Sequence, residues 1–197
     1  MRQRFILASA SPRRSQLMRQ IGLKPEIIPS MIEEKAENME PDQTVMELSR
    51  QKAEDIAKKY GEGTVVIGAD TVVSIKGRIL GKPSSHREAV EMIHLLQGTV
   101  HQVYTGVTII LCGREKKQVT FAEKTDVSVY AMNEQEIYRY AESGEPMDKA
   151  GAYGIQGKFA AYIQGIQGDY NNVVGLPIGR LYQELKALGL LEEENHD

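Results

Sequence analysis

Apolar and polar positions along this chain fall into blocks whose period switches between two and about 3.6 residues, and each switch marks an element. The apolar run Phe5–Ala8 reads as a strand that stops at Ser9. Ser11 and Pro12 then stand at the cap and first position of a helix reaching Ile21 and closed by Gly22. Pro25–Pro29 is extended and leads to the acidic pair Glu33-Glu34. A second helix is expected from Thr44, with Glu47 completing a capping box, to Tyr60 before Gly61. Thr64–Gly68 is continuously apolar, as a central strand would be, and Thr71–Ile75 resumes it before a turn at Lys76-Gly77-Arg78. A capping box of Ser85 and Glu88 opens a helix that Gly98 ends. His101–Leu111 and Gln118–Tyr130 form a long hairpin around Gly113–Lys117. Glu134–Ser143 is helical, Gly151–Gly157 a glycine-rich loop, Phe159–Ile163 a strand and Pro177–Leu188 the last amphipathic helix.

This alternation of strands and helices predicts an α/β architecture. With 41% hydrophobic residues over 197 positions, the chain can bury a good core as one large domain or two joined lobes. We expect a single domain over residues 1–190 and an acidic tail over 191–197. The formal charge of −3, from 24 basic and 27 acidic residues, gives no footprint for nonspecific binding to nucleic acid. No apolar run approaches membrane-spanning length, and the N-terminal one is too short for a signal peptide and runs into Arg13-Arg14. Cys112 is the single cysteine and lies in the apolar run Val107–Cys112, so it reads as a core thiol. Together these features predict a reducing, cytoplasmic setting without membrane or stable nucleic-acid partners.

Several positions break the pattern and carry the candidate chemistry. Arg13 and Arg14 sit in the first turn of a helix, where the dipole disfavours cations, beside free N–H groups. A docking anion such as phosphate explains them, with Ser9 as a hydroxyl ligand; a solvated arginine pair is the competing reading. Lys52 falls on the apolar stripe of Val45, Leu48, Ile56 and Tyr60, where it needs either a partner or an escape to solvent. Asp70 follows the small residues Gly68-Ala69 at the expected carboxyl end of a strand, a usual ligand position in open α/β sheets. Asp70 with Glu33 or Glu34 would suit Mg²⁺ shared with phosphate oxygens. Lys82, in Gly81-Lys82-Pro83, and Lys149, before the glycine-rich loop, add cations at loops. The glycines fit neither a P-loop nor a dinucleotide-binding fingerprint, and the scattered histidines have no zinc spacing. Five cations around a carboxylate pair favour a polyphosphate substrate and metal-assisted attack of water on phosphorus.

Five motifs occur here in the order seen in Maf proteins: Ala8-Ser-Ala-Ser-Pro-Arg-Arg14, Gly68-Ala-Asp-Thr71, Gly81-Lys-Pro83, Asp148-Lys-Ala-Gly-Ala-Tyr-Gly-Ile-Gln-Gly157 and Asn172-Val-Val-Gly-Leu-Pro177. The resemblance spans about residues 5–188. It implies a nucleoside triphosphate pyrophosphatase that cuts between the α- and β-phosphates with Mg²⁺ or Mn²⁺. It also implies a fold similar to the inosine triphosphate pyrophosphatases: an elongated mixed sheet flanked by helices, in two lobes with a cleft. Carried over by position, Asp70 resembles the family's proton acceptor, Ser9, Arg13, Lys52 and Lys82 its phosphate-side residues, and Glu34 its second acidic group. Arg13, Thr71 and Gln156 resemble the subgroup preferring dTTP and UTP, and the Gln156 amide suits a pyrimidine edge. The family allows a homodimer. The alternative reading, a nucleotide-sensing regulator of septation, would not need so complete a catalytic set.

Overall fold

The computed structural model describes residues 3–115 and 117–191. It is a mixed α/β fold in which six strands pair in the order β2-β1-β3-β5-β6-β7 and β4 pairs with β3. The strands are β1 (Arg4–Leu7), β2 (Glu26–Ile27), β3 (Thr64–Ile75), β4 (Arg78–Leu80), β5 (Val100–Leu111), β6 (Lys117–Val129) and β7 (Ile163–Gln167). The helices are α1 (Pro12–Gln20), α2 (Pro41–Ala57), α3 (His86–Leu96), α4 (Glu134–Ala141), α5 (Tyr170–Val174) and α6 (Ile178–Ala187). The chain divides into two compact units: Met1–Asp70, Gly106–Ala122 and Gly175–Asp197 form one, Thr71–Thr105 and Glu123–Val174 the other.

In the first unit, β1 runs parallel to β3, from Arg4 beside Thr64 to Leu7 beside Ile67. The core beneath α2 is Ile6, Ala8, Ala53, Ile56, Val66, Ile110 and the buried thiol Cys112. Two glycines let α2 lie against the sheet. A Cβ on Gly68 would stand 2.9 Å from the Ala53 Cβ and overlap the Ser49 carbonyl oxygen. One on Gly106 would overlap the Val45 carbonyl and come 2.7 Å from the Met46 nitrogen. Ser49 and Thr108 hydroxyls meet at 2.9 Å in the same contact.

In the second unit, the end of β3 turns back into β4 through Lys76 and Gly77, both at positive φ. A ring cluster fills the space near α4: Phe159 lies 5.0 Å from Tyr140 and 4.8 Å from Tyr153 between centroids. Tyr153 also shares a buried 2.8 Å hydrogen bond with Nε2 of His101 on β5.

Several elements differ from the pattern-based expectation. Pro41 takes the first helical position of α2, three residues before Thr44, so no Thr44–Glu47 capping box forms. Thr44 instead donates to the Met39 carbonyl at 3.3 Å, and Glu47 pairs with Arg50 at 2.6 Å. Ser11 precedes α1 without capping it by its side chain. Ser85 does accept the Glu88 N–H, whereas the Glu88 carboxylate turns to Ser84. β3 runs unbroken through Asp70, which is therefore mid-strand; it is β1 that ends, opposite Ile67 three residues earlier. Lys158–Tyr162 is a 3-10 turn in place of the expected strand, because Phe159 is drawn into the ring cluster, and β7 begins only at Ile163. α5 carried no apolar period long enough to announce it. The acidic tail from 192 onward lies outside the described residues.

Candidate active site

Lys52 is where the sequence set its problem, and the first unit answers it with two carboxylates. Val45, Leu48 and Ile56 of the α2 stripe are buried, and Lys52 between them is only 13% exposed at its side chain. Its ammonium lies 2.5 Å from Asp70 Oδ1 and 3.0 Å from Glu34 Oε1. The seating of α2 on Gly68 makes this meeting possible, because Asp70 lies two residues further along the same face of β3. Asp70 is 14% exposed at its side chain and Glu34 46%. Glu33, by contrast, is 86% exposed and faces Lys35 at 3.9 Å.

Glu34 comes from a segment without regular structure. No residue between 31 and 40 is buried, and Met31 is 90% exposed. Polar anchors hold the segment to α2. Ser30 donates to Asp55 Oδ2 at 2.8 Å, while Gln51 accepts the Lys35 N–H at 3.1 Å and donates to the Lys35 carbonyl at 2.7 Å. Sequence reasoning passed over Gln51 and Asp55; their spacing of four beside Lys52 was the available signal.

At the start of α1, Ser9 is buried and its Oγ accepts from the Ser11 N–H at 3.2 Å and from Arg14 Nη1 at 3.0 Å. With both lone pairs taken, its own proton is what it offers a ligand. Arg14 also donates to the Gly175 carbonyl at 2.8 Å. Burial draws the Arg14 pKa down, Asp70 opposes, Arg13 adds to the lowering and Glu34 opposes it, so this guanidinium shares the field of the carboxylate pair. Arg14 is thus half-buried and braces Ser9, and Arg13 is half-buried beside it.

The second unit holds the remaining sequence candidates. Asp70 and Thr71 are consecutive in β3 and so face opposite sides of the strand. Thr71 meets Thr105 at 2.9 Å between hydroxyls, and Thr105 donates to the Asn172 carbonyl at 3.0 Å. Thr105 having spent its proton, Thr71 must donate to it. Lys82 is exposed in a loop tied to the glycine-rich loop by Gly151 N–H donating to the Gly81 carbonyl at 3.0 Å. Gln156 is exposed in that glycine-rich loop. Lys149 is committed elsewhere: its ammonium donates to the Glu145 carbonyl at 2.7 Å and to Asp148 Oδ1 at 2.6 Å, and Gly154 leaves room for its stem. The geometry therefore gathers Ser9, Arg13, Arg14, Glu34, Lys52 and Asp70 within one unit and Thr71, Lys82, Lys149 and Gln156 within the other.

Two carboxylates converging on one cationic centre are the hard oxygen set that Mg²⁺ or Mn²⁺ takes when phosphates complete its shell. Among the described residues, no group of three or more His, Cys, Asp and Glu side chains could hold a metal. Among the described residues, no helix is long and apolar enough to cross a membrane.

Comparison with known proteins places this geometry in context. A dTTP/UTP pyrophosphatase of Agathobacter rectalis is 52% identical over 94% of this chain and 98% of its own. Enzymes of the same name from Lachnoclostridium phytofermentans and Carboxydothermus hydrogenoformans are 49% and 48% identical, each over 94% of this chain and over 95% and 99% of their own. The solved Ham1 protein of Staphylococcus aureus superposes with a TM-score of 0.55 at 16% identity, over 94% of this chain and 100% of that one. A HAM1 protein from Coxiella burnetii gives 0.53 at 15% identity, over 94% and 99%. At such identities the likeness is one of fold. The Maf-like protein family matches residues 4–188, and with relatives at half identity over nearly its whole length, this chain belongs to the Maf family.

Proposed function

We propose that this chain is a nucleoside triphosphate pyrophosphatase that hydrolyses dTTP and UTP, and related modified pyrimidine nucleotides, to the monophosphate and pyrophosphate. The observation that carries the reading is the Lys52 ammonium held between Asp70 and Glu34, a charged cluster set on an otherwise apolar helix face. Relatives at half identity bear the name of this activity, which disfavours a sensing role without catalysis.

Asp70 is the base that takes a proton from the attacking water at its free carboxylate oxygen. Glu34 and Asp70 would hold a divalent ion, which supplies charge neutralisation at the phosphates. The Lys52 ammonium offsets the negative charge that develops on the pyrophosphate leaving group, and Arg13 and Lys82 of Gly81-Lys-Pro83 add to the same effect. Ser9 donates its remaining proton to a phosphate oxygen, and Arg14 fixes Ser9 in that polarity. Thr71 and Gln156 select the base, and Lys149, just before the glycine-rich loop, is the remaining substrate-side cation. The buried Cys112 and the formal charge of −3 support a cytoplasmic enzyme that acts on small nucleotides without stable nucleic-acid binding, and the family resemblance allows a homodimer.

Pyrophosphate release with Mg²⁺ or Mn²⁺, measured across a panel of nucleoside triphosphates, tests the reading. Release from dTTP and UTP above the purine nucleotides, abolished by Asp70→Asn, is the expected result. Wild-type turnover by Asp70→Asn would remove Asp70 from its role, and silence across the whole panel would remove the activity.

A further inference from the structure

The segment carrying Glu34 has no buried residue between 31 and 40 and no strand or helix of its own, so packing does not fix it. Its position depends on α2, which grips it on both sides of Glu34. Upstream, Ser30 donates to Asp55 at 2.8 Å. Downstream, the Gln51 amide takes both backbone groups of Lys35, as a neighbouring strand would, at 3.1 and 2.7 Å. Gln51 and Asp55 flank Lys52 on the helix, so the anchors and the lysine that Glu34 meets are set by one rigid element.

The orientation of the Gln51 amide is over-determined. Its Nε2 also donates to Glu47 Oε1 at 2.7 Å, a carboxylate that Arg50 holds at 2.6 and 2.9 Å. Turning the amide over would set oxygen against that carboxylate and NH₂ against the Lys35 N–H. Arg50 is in turn fixed to Glu54 at 2.8 Å. A chain of bonds, charge-assisted from Glu54 through Arg50 and Glu47 to Gln51, thus runs along a half-buried side of α2 and ends on the backbone next to Glu34.

We propose that Gln51 is a positioning residue for the metal: it holds the 30–35 segment so that Glu34 and Asp70 present their carboxylates together. The proposal rests on the reading of Glu34 and Asp70 as the metal-holding pair. Gln51 does not touch the ion or the substrate; it sets how much ordering Glu34 still needs when the ion arrives. Outer partners of this kind shift metal affinity by about 10-fold or more when removed.

The test is a titration of the full-length chain with Mn²⁺, followed by electron paramagnetic resonance, for wild type, Gln51→Leu, Ser30→Ala and Glu34→Gln. Leucine keeps the helix and the bulk of residue 51 while removing its bonds, and Ser30→Ala probes the opposite anchor should Gln51→Leu fold poorly. Gln51→Leu is expected to weaken Mn²⁺ binding about 10-fold, with Ser30→Ala shifting it in the same direction. Pyrophosphate release by Gln51→Leu should need correspondingly more Mg²⁺ yet reach the wild-type kcat once Mg²⁺ saturates, a split that a merely destabilised helix would not produce. Unchanged Mn²⁺ affinity in Gln51→Leu and Ser30→Ala, with Glu34→Gln weakened, overturns the positioning role. Unchanged affinity in Glu34→Gln overturns the metal pair itself, and the proposal with it.

Discussion

Gly68→Ala adds one methyl group where the structure has no space for it, at the point that seats α2 over Asp70. The new Cβ would stand 2.9 Å from the Ala53 Cβ and overlap the backbone oxygen of Ser49. Carbon atoms pack best at about 3.5–4.0 Å, so the helix must retreat by roughly 1 Å. A backbone oxygen cannot swing aside as a side chain would, and overpacking of this kind costs about 1–3 kcal/mol. For a chain of this length each kcal/mol lowers the melting temperature by about 2–4 °C, giving a fall of about 2–12 °C. The same retreat opens the 2.5 Å contact between Lys52 and Asp70. A displacement of about 1 Å in a catalytic group can lower turnover about 100-fold. Thermal unfolding by calorimetry and pyrophosphate release from dTTP would be measured on the same preparations. Gly165→Ala serves as control: nothing lies within 4 Å of its Cβ position, so both readouts should stay at wild type. A Gly68→Ala protein that melts and turns over like wild type would refute the seating argument. One that is destabilised but fully active would uncouple helix seating from the placement of Lys52.

Three further outcomes are expected. Lys52→Met leaves two carboxylates without their cation and should lower kcat by about 100-fold or more while costing about 1–3 kcal/mol of stability; a variant that only loses stability would make Lys52 structural. Burial holds the His101 pKa down at about 4, below its ordinary 6.5, so below pH 6.5 the unfolded chain binds a proton the native one refuses. Stability should therefore fall as pH drops from 6.5 towards 4, by about 2 kcal/mol at pH 5, and His101→Gln should flatten that part of the melting-temperature profile. Gly179 is exposed in the first turn of α6 with nothing within 4 Å of its Cβ position, so Gly179→Ala should stabilise by about 0.5–1 kcal/mol, read as a higher denaturant midpoint at unchanged slope.

The elements whose burial is periodic were legible in the sequence: β5, β6, α3 and α6 all lie within a residue or two of where their apolar patterns put them. Lys52 was legible for the same reason, since a charge on an apolar stripe violates a strong regularity. The errors arose where a local signal met a stronger neighbour. Thr44 and Glu47 spell a capping box, but Pro41 had already started the helix and Arg50 claimed the glutamate. Gly68-Ala69-Asp70 looked like the end of a strand because small residues and a carboxylate often end one. Here the small residues admit a helix, and the strand continues. Phe159 has strand propensity, yet Tyr140 and Tyr153 draw it into a turn. The choice between Glu33 and Glu34 could not be read, because it depends on how an unburied segment is tied down from outside itself. The commitment of Lys149 to Glu145 and Asp148 likewise depends on the fold of the loop.

The ring cluster around Phe159 also determines how this protein reports on itself. The chain has nine tyrosines and no tryptophan, so its near-ultraviolet absorbance and emission come mainly from phenol groups. Burial pushes the Tyr153 phenol well above its ordinary pKa of 10.0, and burial with the Glu145 carboxylate does the same to Tyr140. In the native state these two phenols stay protonated where exposed tyrosines have become phenolate. The unfolded chain ionises them near 10, so the native state holds two protons that the unfolded state has released, and stability falls as pH rises past that point. Phenolate absorbance in strong alkali should therefore appear in two stages, a gradual one from surface tyrosines and a cooperative one when Tyr140 and Tyr153 are released. The second stage is an optical marker of unfolding that needs no label.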